Sequence, residues 1–134
     1  MSVPKGLRNI STMQFLKTAR DLEIFTLQKT KGFPTRWRVD LASPLVADTR
    51  FVYERLKMAN NLWPTNSHEA QIRRDYLLQA RGRLDSFIAQ LEIACEVCDI
   101  GEKVLRSWSA MAAEEIKLIG GVLESDRKRF RFDS

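Results

Sequence analysis

Between Ser67 and Cys98, apolar residues recur at Ile72, Tyr76/Leu77, Ala80, Leu84, Phe87/Ile88, Leu91, Ala94/Cys95 and Cys98, with no proline and one glycine, Gly82. Steps of three and four lay one stripe down a helix, where a strand would need steps of two. Ser67 is the predicted N-cap, and Glu69 sets a carboxylate in the first turn, at the positive end of the helix dipole. Such a helix is roughly 45–50 Å long. It cannot bury its own stripe and requires long partners.

Those partners are readable on both sides. Residues 1–10 hold Pro4 and Gly6 without periodicity and read as a loose N-terminal arm. From a cap at Asn9 or Ser11, a first helix runs to about Lys31 with the stripe Phe15, Leu16, Ala19, Leu22, Phe25/Thr26 and Lys29. Gly32 ends it, and Phe33-Pro34 forces a tight link. A second helical segment, about 35–62, carries Trp37, Leu41, Leu45, Phe51/Val52, Leu56 and Ala59, with a kink expected near Asp40–Ser43 because Pro44 lies inside it. Residues 63–66 (WPTN) are a breaker. After Cys98 the break signal is Asp99-Ile100-Gly101, with Asp99 the expected cap of a fourth helix, about 100–126. Its stripe is Val104/Leu105, Trp108, Met111/Ala112, Ile116, Ile119 and Leu123, and a basic tail follows over 127–134. The expectation is an all-α, antiparallel up-down four-helix bundle over 11–126.

Composition fits that picture: 134 residues, 44% hydrophobic and 29% charged, suit one globular domain with a full core. No apolar run approaches the ~20 residues that span a bilayer. The N-terminus lacks the apolar core of a secretory signal, so a cytoplasmic protein without membrane partners is expected.

Chemistry enters through few residues. Cys95 and Cys98 form a CxxC, but three residues apart on a helix they share the apolar face. The single histidine, His68, lies about seven turns away, so no metal site is expected. Glu114 and Glu115 read as a solvated face, and there is no phosphate-binding glycine loop. No catalytic residues, cofactor or small-molecule substrate are expected. The net charge of +5 points instead to a polyanion. Arg36 and Arg38 flank Trp37, Arg73, Arg74 and Arg81 mark the third helix, and Arg127, Lys128, Arg129 and Arg131 make the tail. Such cations either solubilise a surface or contact phosphates.

Residues 32–38 (GFPTRWR) resemble the K-F-P-R-x-x-R-F turn that opens the second helix of a bacterial four-helix-bundle family. That family comprises the accessory variability determinant proteins of diversity-generating retroelements and the proteins encoded in 23S ribosomal RNA intervening sequences. The resemblance continues through Ala59-Asn60, residues 74–84 (RDYLLQARGRL) and 91–94 (LEIA), and closes at 115–121 (EIKLIGG). It departs at Val122, where the family carries Trp, and at Phe87 and Glu92, where family members tend to carry arginine. The resemblance implies a ring-like homopentamer and a non-catalytic accessory that binds a reverse transcriptase and its template RNA, with DNA a further polyanion in reach. The alternative is an intervening-sequence-type bundle or a structural oligomeric adaptor. Oligomerisation is also expected because Ile24, Leu27, Trp63, Val97 and Leu118 lie off the main stripes.

Overall fold

A computed structural model describes residues 5–132, with side chains from residue 14 onward. Four helices, α1 (Lys5–Thr30), α2 (Ser43–Asn61), α3 (Ser67–Val97) and α4 (Glu102–Arg129), make up the fold, with no strand among the described residues. Each helix packs on the next and α4 packs back on α1, which makes a four-helix bundle around one core. α1 begins at Lys5, inside the stretch read as an arm, and α4 runs to Arg129, into the stretch read as a tail. Residues 1–4 of the expected arm and 133–134 of the tail lie outside the described residues. The extension of α4 follows from its last turn: Arg127, Lys128 and Arg129 oppose the negative helix end, and Arg127 and Arg129 each pair with a carboxylate three residues back.

The buried stripes run as heptads. On α3 they are Arg73, Leu77, Ala80, Leu84, Phe87, Leu91 and Ala94/Cys95. On α4 they are Trp108, Ala112, Glu115, Ile119, Val122/Leu123 and Asp126. Three of these positions carry charged residues: Arg73 and Glu115 turn inward where Ile72 and Ile116 were expected, and Asp126 lies beyond the expected stripe. On α1 Thr26 is inside as one of the expected stripe residues, while Thr30 takes the inward place expected of Lys29. Thr26 is inside because Trp108, the largest buried side chain, donates its Nε1–H to the Thr26 hydroxyl at 2.9 Å.

The expected kink before α2 is a π turn. After a short 3₁₀ turn (Thr35–Trp37), residues Arg38–Ala42 widen, and the Ser43 N–H donates to the Arg38 carbonyl five residues back. Pro44 has no N–H and would clash with the carbonyl four residues back, so the helix opens just before it and α2 starts with proline in its first turn. The widening buries Ala42 and leaves Leu41 and Trp37 half-buried.

Both later breaks fall where expected, with different capping residues. Asn66, not Ser67, caps α3: its Oδ1 accepts the Glu69 N–H at 2.9 Å. Glu69 Oε1 in turn accepts from the Thr65 N–H and hydroxyl, each at 2.8 Å, which holds the Glu69 carboxyl below its usual range. Asp99 does not cap α4. It takes the left-handed conformation (φ 56°) that ends α3, with Ile100 N–H reaching Cys95 O at 2.8 Å and Asp99 N–H reaching Glu96 O at 3.4 Å. That is a Schellman ending, and Gly101 is the cap of α4.

Glu115 has no exposed surface, and neither of its carboxyl oxygens has a hydrogen-bond partner among the described residues. Burial, helped by the neighbouring charge of Glu114, pushes its pKa from the ordinary 4.5 up to about 9. The folded chain therefore holds a proton there that the unfolded chain releases above pH 4.5. Stability from this site is complete below pH 4.5 and is lost as the pH rises through about 9. The slope reaches up to about 1.4 kcal/mol per pH unit. Urea titrations from pH 5 to pH 9 are expected to show that decline, and Glu115→Leu is expected to flatten it and to stabilise the fold at pH 8.

Candidate nucleic-acid interface

Eight of the nine cations singled out in the sequence divide between the two ends of the bundle, and Arg81 lies midway along α3. Arg36 and Arg38 lie on the α1–α2 link. Phe33 of that link packs on Trp108 near the start of α4, with centroids 6.3 Å apart. Arg36 also lies close enough to Cys98, at the end of α3, to oppose the rise that burial imposes on that thiol. Both arginines are exposed, and the Arg36 guanidinium sits 6.0 Å from the half-buried Trp37 ring. The other end joins the α2–α3 link to the last turn of α4: Trp63 packs edge-on against Phe130, centroids 4.9 Å apart. α2 alone separates the two ends by roughly 28 Å. Arg74 and the 127–131 segment therefore share one end, and Arg36 and Arg38 belong to the other.

Arg73 corrects its expected role. It is 1% exposed and its guanidinium faces inward, out of reach of a phosphate. Nε–H donates to Asp126 Oδ2 at 2.6 Å and Nη2 to Asp126 Oδ1 at 3.3 Å. Nη1 donates to two carbonyls at the end of α2, Ala59 at 2.8 Å and Leu62 at 3.3 Å. The same guanidinium lies 5.8 Å from the Trp63 ring and 5.6 Å from the Phe130 ring. Arg129 shares the arrangement, bonding Asp126 Oδ1 at 2.7 Å and lying against both rings at 5.3 and 5.5 Å. Both arginines build the surface on which the tail rests.

What this scaffold holds up is a groove of about 460 Å³ between α3 and the chain after α4. α3 lines it with Gln71 and Arg74; the other wall is Arg127, Phe130, Arg131 and Phe132. Arg74 and Lys128 are exposed and have no carboxylate partner among the described residues. Arg131 is likewise free of carboxylates and touches only the Arg127 carbonyl, at 3.4 Å. Arg127 is tied to Glu124 at 2.7 Å. Arg81 is half-buried on α3, seven residues from Arg74 and so on the same face about 10 Å further along. The end thus carries a free cation set around two aromatic rings, and the sequence had supplied every member except the role of Phe130 and Phe132.

Elsewhere the chemistry is sparse. Cys95 is buried, and burial together with Cys98 pushes its thiol up to about 11. Cys98 is half-buried and also raised by burial. Thiols held protonated in this way are poor nucleophiles and poor ligands. Among the described residues no three His, Cys, Asp or Glu side chains converge as a metal site requires. No described helix is long and apolar enough to cross a membrane. No protein-family model, curated protein or solved structure matches this chain.

The buried pair yields a direct test. Removing Asp126 leaves an uncompensated guanidinium in the interior, so Asp126→Leu alone is expected to cost about 3–5 kcal/mol in urea unfolding, and Arg73→Met less, because Arg129 still pairs with Asp126. The double variant is expected to lose much less than the two single losses added together, because it buries no orphan charge.

Proposed function

We propose that this chain is a non-catalytic nucleic-acid-binding bundle, acting in the cytoplasm as accessory protein to the reverse transcriptase of a diversity-generating retroelement and holding its template RNA. The observation that carries the binding part is the placing of Arg74 and Arg131, without carboxylate partners among the described residues, on the walls of an aromatic-lined groove, with Lys128 exposed in the last turn of α4 at the same end. Cations so placed can each neutralise a phosphate, while Arg73, Arg127 and Arg129 are committed to carboxylates within the fold. The retroelement part rests on the resemblance of residues 32–38, 74–84 and 115–121.

The same reading takes the helices as antiparallel and five copies as a ring. In support of the first, the start of α3 meets the end of α4 at Arg73–Asp126, and the end of α1 meets the start of α4 at Phe25–Trp108, centroids 5.8 Å apart. In support of the second, Ile93 and Val97 stand one turn apart on α3, 48% and 43% exposed, and Ile24 and Leu27 are exposed on α1. Trp63 and Leu118, expected on such a surface, are half-buried instead, Trp63 beneath Phe130. These apolar positions equally serve the second reading, an oligomeric adaptor of the intervening-sequence type.

RNA binding measured by fluorescence anisotropy across a salt series is the test. Arg74→Ala/Lys128→Ala/Arg131→Ala is expected to weaken binding and to lower the slope of log K against log salt by about 0.7 per lost contact on a single strand, with the fold intact. Absence of RNA binding by the parent chain at low salt would overturn the reading. Light scattering is expected to give five times the 15.5 kDa chain mass. Binding of RNA by a stable monomer would remove the ring and leave the interface.

A further inference from the structure

The segment that closes the groove reads Arg129-Phe130-Arg131-Phe132, cation and ring in strict alternation. Past the last turn of α4 the backbone leaves the helix at Phe130 (φ −108°, ψ 68°). Beyond that residue no helix holds the chain, and the rings at 130 and 132 come to the same side. Their planes differ by only 7°, with centroids 6.5 Å apart. Both stay half-exposed and both line the groove. Phe130 is held in place from behind by Trp63, Arg73 and Arg129, so the platform is preorganised.

From the nucleic-acid reading above, on which this step rests, we infer that the groove takes an unpaired nucleobase stacked on Phe130 and Phe132, with the adjoining phosphates on Arg74 and Arg131. The ligand class is therefore single-stranded nucleic acid and not a duplex, whose bases offer no free face. Stacking on side-chain rings accepts any base, because every base has a π face. Gln71 adds a polar contact at the groove wall: its amide N–H₂ donates to Asp75 at 2.8 Å, which leaves its Oε1 to accept from a base edge. The carboxylate lining the groove, Asp126, does not repel the strand, since Arg73 and Arg129 occupy both of its oxygens.

Three probes of equal length separate stacking from charge: a short oligouridylate, the same backbone without bases, and a duplex. The full chain is expected to bind the oligouridylate about tenfold more tightly than the abasic strand. Phe132→Ala, at a half-exposed position beyond the last helix, is expected to erase that difference while leaving abasic binding and the thermal midpoint unchanged. Phe132→Trp is expected to restore it. Equal binding of oligouridylate and abasic strand by the parent chain overturns the base site and leaves a phosphate surface. Failure to bind any of the three overturns the nucleic-acid reading itself.

Discussion

A buried ion pair, Arg73–Asp126, holds three parts of this bundle to one another. Taking a guanidinium and a carboxylate out of water is costly, and their attraction offsets it only when the remaining donors and acceptors are also satisfied. Here all three guanidinium nitrogens are used, two on the Asp126 carboxylate and one on the Ala59 and Leu62 carbonyls. Those carbonyls belong to the end of α2, where the helix leaves its last acceptors without partners and a partial negative charge. One side chain on α3 thus caps α2 and fixes α4. Lysine could not do this, since a point charge has no planar fork to serve two oxygens on one side and carbonyls on another. Trp63 and Phe130 lie against the Arg73 guanidinium and cover that side of the pair.

The core contains two polar solutions of opposite quality. Trp108 buries its whole indole because Thr26 offers an acceptor, and Thr30 closes the turn by donating its own hydroxyl to the Thr26 carbonyl at 2.7 Å. Glu115, on the same helix two turns on, is buried with nothing among the described residues to bond. A carboxyl in that position persists only by keeping its proton, which makes it a neutral filler of roughly leucine size with an unmet polar demand. The position is tolerated because burial of a neutral acid is far less costly than burial of its anion.

The helices and the first two breaks were legible because apolar steps of three and four, Phe33-Pro34 and residues 63–66 are strong local signals; the third break rested on the weak signal Asp99-Ile100-Gly101 and on the implausible length of an unbroken helix. The stripes were legible to within one residue. They slipped where a charged side chain occupies a core step: reading apolar residues alone selects Ile72 over Arg73 and Ile116 over Glu115. Yet the spacing 73–77–80–84 and 112–115–119 carries the information, because heptad position, and not side-chain polarity, decides which way a residue faces. The caps failed differently. Asn66 and Ser67 are both competent, and Asp99 suits either a cap or a left-handed helix end, so only the path of the chain chooses between them. The candidate site was legible as a list of arginines but not as a place. Helix ends come together through the fold, and no linear pattern states that Arg74 and Arg131 flank one groove while Arg36 lies at the far end.

The count of arginines overstates what such a protein can offer a polyanion, because a carboxylate-bound guanidinium is already engaged. Arg73 and Arg129 converge on one carboxylate, Arg127 holds Glu124, and Arg83 is taken by Asp48 at 3.4 Å while lying 4.0 Å over the Phe51 ring. Each of these arginines organises protein instead of awaiting a ligand. At the α4 end, Arg131, which has no carboxylate partner among the described residues, sits on a segment whose position depends on the buried pair. Interior and surface arginines therefore act in sequence: Arg73 and Arg129 fix Phe130, Phe130 sets the direction of the chain that follows, and that direction places Arg131 and Phe132 opposite Arg74. A cation's value at this site comes from the rigidity beneath it, since a side chain ordered before binding loses less entropy on contact.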